Sequence, residues 1–298
     1  GGWLALGGAF TNNLALVVTN GGVLALSGEW NNTGVVAVTN STLNLGGEWN
    51  NTGVVALTNS TLNLGGTLSV TKLNTIERSG GTVNLNGILN GEGGALVLNP
   101  ATGSWNLSGG TIVGATITSI GGASLNVTGG GTLSGVTLGA DLVIPYGRVT
   151  VVDGLTLAGA RIDLNSTEWN AQAGPVLTFN GSQTLGGSGQ VIFDGTYWNG
   201  AVYASGGTLT IGSNVSLVTG NYSGSVVGSV INQGLLSAPT AGQTLTVSGQ
   251  PLVNQGRLEA SLGTLNVSGL TGNVGNALAG GGWLALGGAF TNNLALVV

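Results

Sequence analysis

Apolar residues fall at every second position in short bursts: Leu24 and Leu26 in "VLAL", Val36 and Val38 in "VVAVT", Leu43 and Leu45 in "TLNL". The same beat returns in "TVNLNG", "SLNVTGGG", "TLTIGSN", "TLTVSG" and "TLNVSG". Period-two alternation sends successive side chains to opposite faces of an extended backbone, so each burst predicts a strand with one apolar face. Gly, Asn and Thr stand at the breaks, which predicts tight turns between strands. Runs such as "LALVV" and "ALVL" fall far short of the ~18 consecutive apolar residues of a membrane helix. The bursts are also about half the ~10-residue alternating strands of a membrane barrel, so no membrane span is expected.

The bursts repeat. "EWNNTGVVAVTNSTLNLGG" at Glu29 to Gly47 is followed at once by "EWNNTGVVALTNSTLNLGG" at Glu48 to Gly66, the two differing only at Val38 against Leu57. A 19-residue unit is too short to be a domain and reads as strand, turn, strand, one turn of a stacked array. Phe10 precedes Trp30 by 20 residues, and "VINQGLL" at Val230 to Leu236 precedes "LVNQGRL" at Leu252 to Leu258 by 22. With only five prolines to remove ladder donors, the pattern predicts an all-β chain folded as a right-handed parallel β-helix, a β-solenoid of about 19–22 residues per coil. An antiparallel sandwich is the alternative, but sandwiches do not usually carry near-identical adjacent units. In a solenoid, identical residues meet in register. Phe10, Trp30 and Trp49 are expected to stack, and Asn31 with Asn50, Asn40 with Asn59, and Asn44 with Asn63 to form amide ladders.

Composition narrows the function. Fifty-nine glycines and 5% charged residues in 298 fit no ordinary globule, yet 42% apolar residues and a mean hydropathy of +0.40 are far from a disordered chain. The absence of Cys and His removes disulfides and the usual soft metal ligands, so neither metal nor cofactor is expected. The net charge is −5 and the only cations are Lys72, Arg78, Arg148, Arg161 and Arg257, which offers no basic stripe for nucleic acid.

"GTVNLNG", "ATGSWNLSGGTIVGATI", "GGTLSGVTL", "FNGSQTLGGSGQVIF" and "VNQGRLEASLGTLNVSGLTGN", with the twin 19-residue units, resemble the strand repeats of large bacterial surface and secreted proteins. They are similar to autotransporter passengers and filamentous-haemagglutinin-type solenoids. The resemblance implies export, a parallel β-solenoid and an adhesive or fibre-forming role, and it transfers no catalytic residue.

Candidate chemistry is sparse, and no enzyme activity is expected. Asp141, Arg148, Asp153, Arg161, Asp163 and Glu168 lie about one coil apart, the spacing a carboxylate site on facing coils needs, though solvated or salt-bridged surface charges are the simpler expectation. In "FDGTYWNGAVY", Tyr197, Trp198 and Tyr203 form a candidate sugar-stacking platform with Asp194 to bind hydroxyls, against the simpler alternative of corner packing.

One longer repeat remains. "GGWLALGGAFTNNLALVV" stands at Gly1 to Val18 and again at Gly281 to Val298. The expectation is that residues 1–280 are one solenoid period and 281–298 begin the next, with both ends read as cut and uncapped. The partners expected are therefore further copies of the same material, joined covalently or stacked head to tail, with lateral bundling and glycans as further candidates.

Overall fold

The alternating bursts are strands, and each pairs in parallel with the burst one coil further on. Trp3–Leu6 pairs with Val23–Leu26, which pairs in turn with Thr42–Leu45, Thr61–Leu64 and Thr82–Leu85 as successive rungs. The computed structural model describes residues 1–167, 169 and 174–293 and divides into two units, Gly1–Thr132 and Leu133–Val298. Strand accounts for 66% of the chain, and coils average about 21 residues. No described helix is long and apolar enough to cross a membrane.

In the first unit a regular coil has three strands rather than the two that apolar alternation marks. The additional wall runs through Phe10–Asn12, Glu29–Asn32 and Glu48–Asn51. "EWNN" reads as polar, but its burial alternates: Trp30 and Asn32 point inward while Glu29 and Asn31 face solvent. The third wall stacks Ala15–Val18, Val35–Thr39, Val54–Thr58 and Ile76–Ser79. The core is the column of inward residues, with Leu24, Val36, Leu43, Val55 and Leu62 each no more than 1% exposed. Fully burying each such side chain contributes about 1.5–3 kcal/mol.

Corners are cut by residues with left-handed backbone. Gly28, Gly47 and Gly66 have φ of 85°, 73° and 67°, and a Cβ on Gly47 would run into the Gly28 carbonyl beneath it. Glycine meets both demands at once.

The third wall is interrupted. A 3₁₀ turn, Val70–Thr75, precedes Ile76–Ser79, and the following wall strand, Ala95–Leu98, pairs forward with Thr116–Ser119 but not back with Ile76–Ser79. Two strand edges therefore face each other without a shared ladder.

In the second unit the strands are longer and turn corners without breaking. Arg148–Ser166 runs 19 residues and pairs with Gln183–Gly195 across a register shift between Ala158 and Arg161. Similar shifts bend Gly200–Ile211 against Gly224–Asn232 and Thr244–Asn254 against Thr264–Asn273. Such bulges bend a strand while its flanks stay paired.

Candidate functional site

The charges of the second unit separate into unrelated groups. Arg148 donates to the Thr178 hydroxyl at 2.9 Å, and Asp153 accepts from the Ser134 hydroxyl at 2.6 Å. Neither belongs to a common site with Arg161. Glu168 lies outside the described residues.

Arg161, Asp163 and Asp194 do converge. One Nη of Arg161 lies 3.0 Å from an Asp163 oxygen and 3.1 Å from an Asp194 oxygen, while the Arg161 backbone N–H donates to Asp141 at 2.8 Å. The register explains the meeting: Arg148–Ser166 pairs with Gln183–Gly195 so that Asp163 sits beside Ile192 and Asn165 beside Asp194. Burial pushes the Asp163 carboxyl above the usual carboxylate range, and Asp194 adds to the rise, while the neighbouring Arg161 pulls against it. One Asp163 oxygen and the Arg161 Nε are buried without a hydrogen-bond partner. The second oxygen of Asp194 accepts the backbone N–H groups of Gly195 and Asn221, each at 3.0 Å. Asp194 is thus committed to Arg161 and to two turn amides, which leaves little of its acceptor capacity for a sugar hydroxyl.

The aromatic residues lie outside the core. Tyr197, Trp198 and Tyr203 are 50%, 40% and 36% exposed, and Trp169, which sequence reasoning passed over, is 73% exposed. Tyr197 and Trp198 project from the turn between Gln183–Gly195 and Gly200–Ile211, where the Trp198 N–H donates to Ser166 Oγ at 3.0 Å. Tyr203 is a strand residue in register with Thr178 and Val227.

The stacking residues of the first unit take the following places. Phe10, Trp30 and Trp49 form one column, with ring centroids 5.9 Å and 5.4 Å apart and planes within 9° and 11° of parallel. Asn44 accepts from Asn63 at 2.6 Å, and the ladder runs on through Asn84 and Asn106 at 2.8 Å each. Asn40 and Asn59 are corner residues with φ of 48° and 46°, so the left-handed turn is their task. Asn31 and Asn50 stand in register on the exposed face. The inward ladder of that wall belongs to their neighbours: Asn12 donates to Asn32, and Asn32 to Asn51, at 2.7 Å each.

No family model, curated protein or solved structure matches this chain. Its function has to be argued from the geometry.

Proposed function

We propose that this chain is a structural segment of an extracellular filament or stalk, built from 280-residue periods whose coils stack end to end. The pairing of the recurrent segment carries this reading. In its first copy Trp3–Leu6 pairs forward with Val23–Leu26; in its second copy the same four letters, Trp283 to Leu286, pair backward with Thr264 to Val267. The preceding and following coils of a parallel stack lie on opposite edges of a strand. Between them the two copies use both edges, so overlaying the copies joins Thr264 to Val267, the recurrent strand and Val23–Leu26 into one uninterrupted ladder. Burial points the same way: Leu4, with a neighbouring coil on one side, is 50% exposed, whereas Leu24 and Leu43, flanked on both sides, are 1% and 0% exposed. Joining periods covers Leu4 as the interior coils cover their equivalents.

The exported, bacterial surface setting rests on the resemblance of the repeats to secreted solenoids. Lateral bundling belongs to the same proposal. Val17, Val35 and Val54 face outward on one wall at 68%, 40% and 37% exposure, and a chain with 5% charged residues repels its neighbours weakly. The denatured mass of the native polypeptide tests the covalent form. Several multiples of 29.1 kDa are expected for an array, a single unit of about that mass means stacked subunits, and a monomer that never associates end to end contradicts the proposal.

The exposed aromatic turn favours a second reading, an adhesin or carbohydrate-binding solenoid using Trp198, Tyr197 and Tyr203. Glycan-array binding that disappears in Trp198→Ala supports it, and silence across a broad array rejects it.

A further inference from the structure

The interruption of the third wall leaves a cavity of about 190 Å³ in the first unit, lined among others by Val70, Leu73, Val83, Leu96, Trp105 and Arg78. Its origin is topological. Ile76–Ser79 and Ala95–Leu98 would be successive rungs of one wall, but the 3₁₀ turn Val70–Thr75 displaces the chain and the two edges do not pair. The space between them reaches the surface beside Val97, which is 36% exposed.

Two polar groups in this mostly apolar space have unmet needs. Trp105 is 4% exposed and its indole N–H is buried without a partner, although an N–H withdrawn from water ordinarily finds an acceptor. Arg78 is saturated with neutral partners: its Nε donates to the Gly80 carbonyl, one Nη to those of Thr102 and Ser104, and the other Nη to that of Gly81, at 3.0, 2.6, 3.3 and 2.7 Å. Four of its five N–H bonds are used, which leaves one on the second Nη. Among the described residues no carboxylate forms an ion pair with it. Burial lowers the Arg78 pKa, the direction expected of a cation withdrawn from water without a counter-charge.

We propose that this cavity binds a small apolar monocarboxylate, its hydrocarbon body between the unpaired strand edges and its carboxylate shared by the free Arg78 N–H and the Trp105 indole N–H. Size supports the class. A dry cavity of about 150 Å³ suffices for benzene, and the 190 Å³ available here has room for a ring or short chain bearing a carboxylate. Charge supports it too, because a neutral guest would leave the guanidinium without a counter-ion.

Isothermal titration of the full chain with benzoate, phenylacetate and octanoate, and with benzyl alcohol as the neutral comparison, tests the assignment. At least one carboxylate is expected to bind 1:1 with a Kd of about 1 mM or tighter, and at least about tenfold more tightly than the alcohol. Which carboxylate wins reports whether the slot prefers a ring or a chain. Trp105→Phe keeps the ring, removes the N–H and is expected to weaken carboxylate binding about tenfold while leaving the alcohol nearly unchanged. Val70→Phe fills the cavity and is expected to abolish both. Circular dichroism identifies any variant that fails to fold, and the two substitutions are independent of each other. Absence of carboxylate binding to the folded wild-type chain, or equal affinity for acid and alcohol, overturns the proposal and leaves a trapped water as the partner of Trp105.

Discussion

A single inward asparagine shows how this fold uses polar residues. Asn32 is 0% exposed, yet its amide is engaged on both sides: it accepts from Asn12, donates to Asn51, and contacts the Gly34 and Val54 carbonyls at 3.3 and 3.4 Å. Truncation strands a donor below and an acceptor above. Asn32→Ala is therefore expected to lower stability by about 1–3 kcal/mol in chemical denaturation, whereas Asn31→Ala, on the exposed face, is expected to change it by less than about 0.5 kcal/mol. Asp163 makes a contrasting case. Its carboxyl titrates above its ordinary range in the folded chain, so folding favours the protonated form, and its ionisation lowers stability progressively as pH rises through the raised pKa. Asp163→Asn is expected to lose this dependence. The stability of the wild type relative to the variant should improve as pH falls below that raised value, as thermal melts across pH 4–8 would read; a difference independent of pH contradicts the cause assigned. The aromatic column was legible in the sequence because Phe10, Trp30 and Trp49 are spaced by one coil. The Asn12–Asn32–Asn51 ladder was less so, since "NN" offers two amides; the signal lay in Trp30, whose inward position turns Asn32 inward two residues later.

At the scale of the strand, apolar alternation identified the two walls built on Val36 and Leu43 and missed the third, because Glu29–Asn32 alternates between tryptophan and asparagine rather than between apolar residues. Its parallel pairing follows from repetition alone, as near-identical adjacent units require equivalent residues to meet. The carboxylate cluster was harder to read. Arg161 meets Asp194 at a separation of 33 residues because the coil between them is long, with Asp163 beside Ile192, 29 residues on, and a spacing of 19–22 pairs the wrong charges. The same logic of interchangeable coils makes a deletion informative. Removing Glu48 to Gly66 brings Gly47 before Thr67, and Gly47 has the same left-handed backbone as Gly66, with φ of 73° against 67°. The shortened chain is expected to retain its β-sheet circular dichroism and a cooperative melt. Deleting ten residues from the same place instead shifts inward residues out of register and is expected to abolish folding; equal tolerance of the two deletions contradicts interchangeable coils.

For the whole molecule, function as proposed rests on continuation. Each coil is stabilised by the coil on either side, and the segment shared by Gly1 to Val18 and Gly281 to Val298 pairs by opposite edges in its two copies. Such a design needs no catalytic group, and its stiffness comes from ladders and ring stacks repeated along the fibre. With coils of about 21 residues and an ordinary rise of ~4.8 Å per strand, a 280-residue period advances roughly 60 Å. Diffraction from aligned fibres of the native protein tests the central claim most directly. The account predicts a meridional reflection near ~4.8 Å, from strands lying across the axis, together with an axial repeat of roughly 60 Å; fibres lacking that repeat, or strands running along the axis, contradict it.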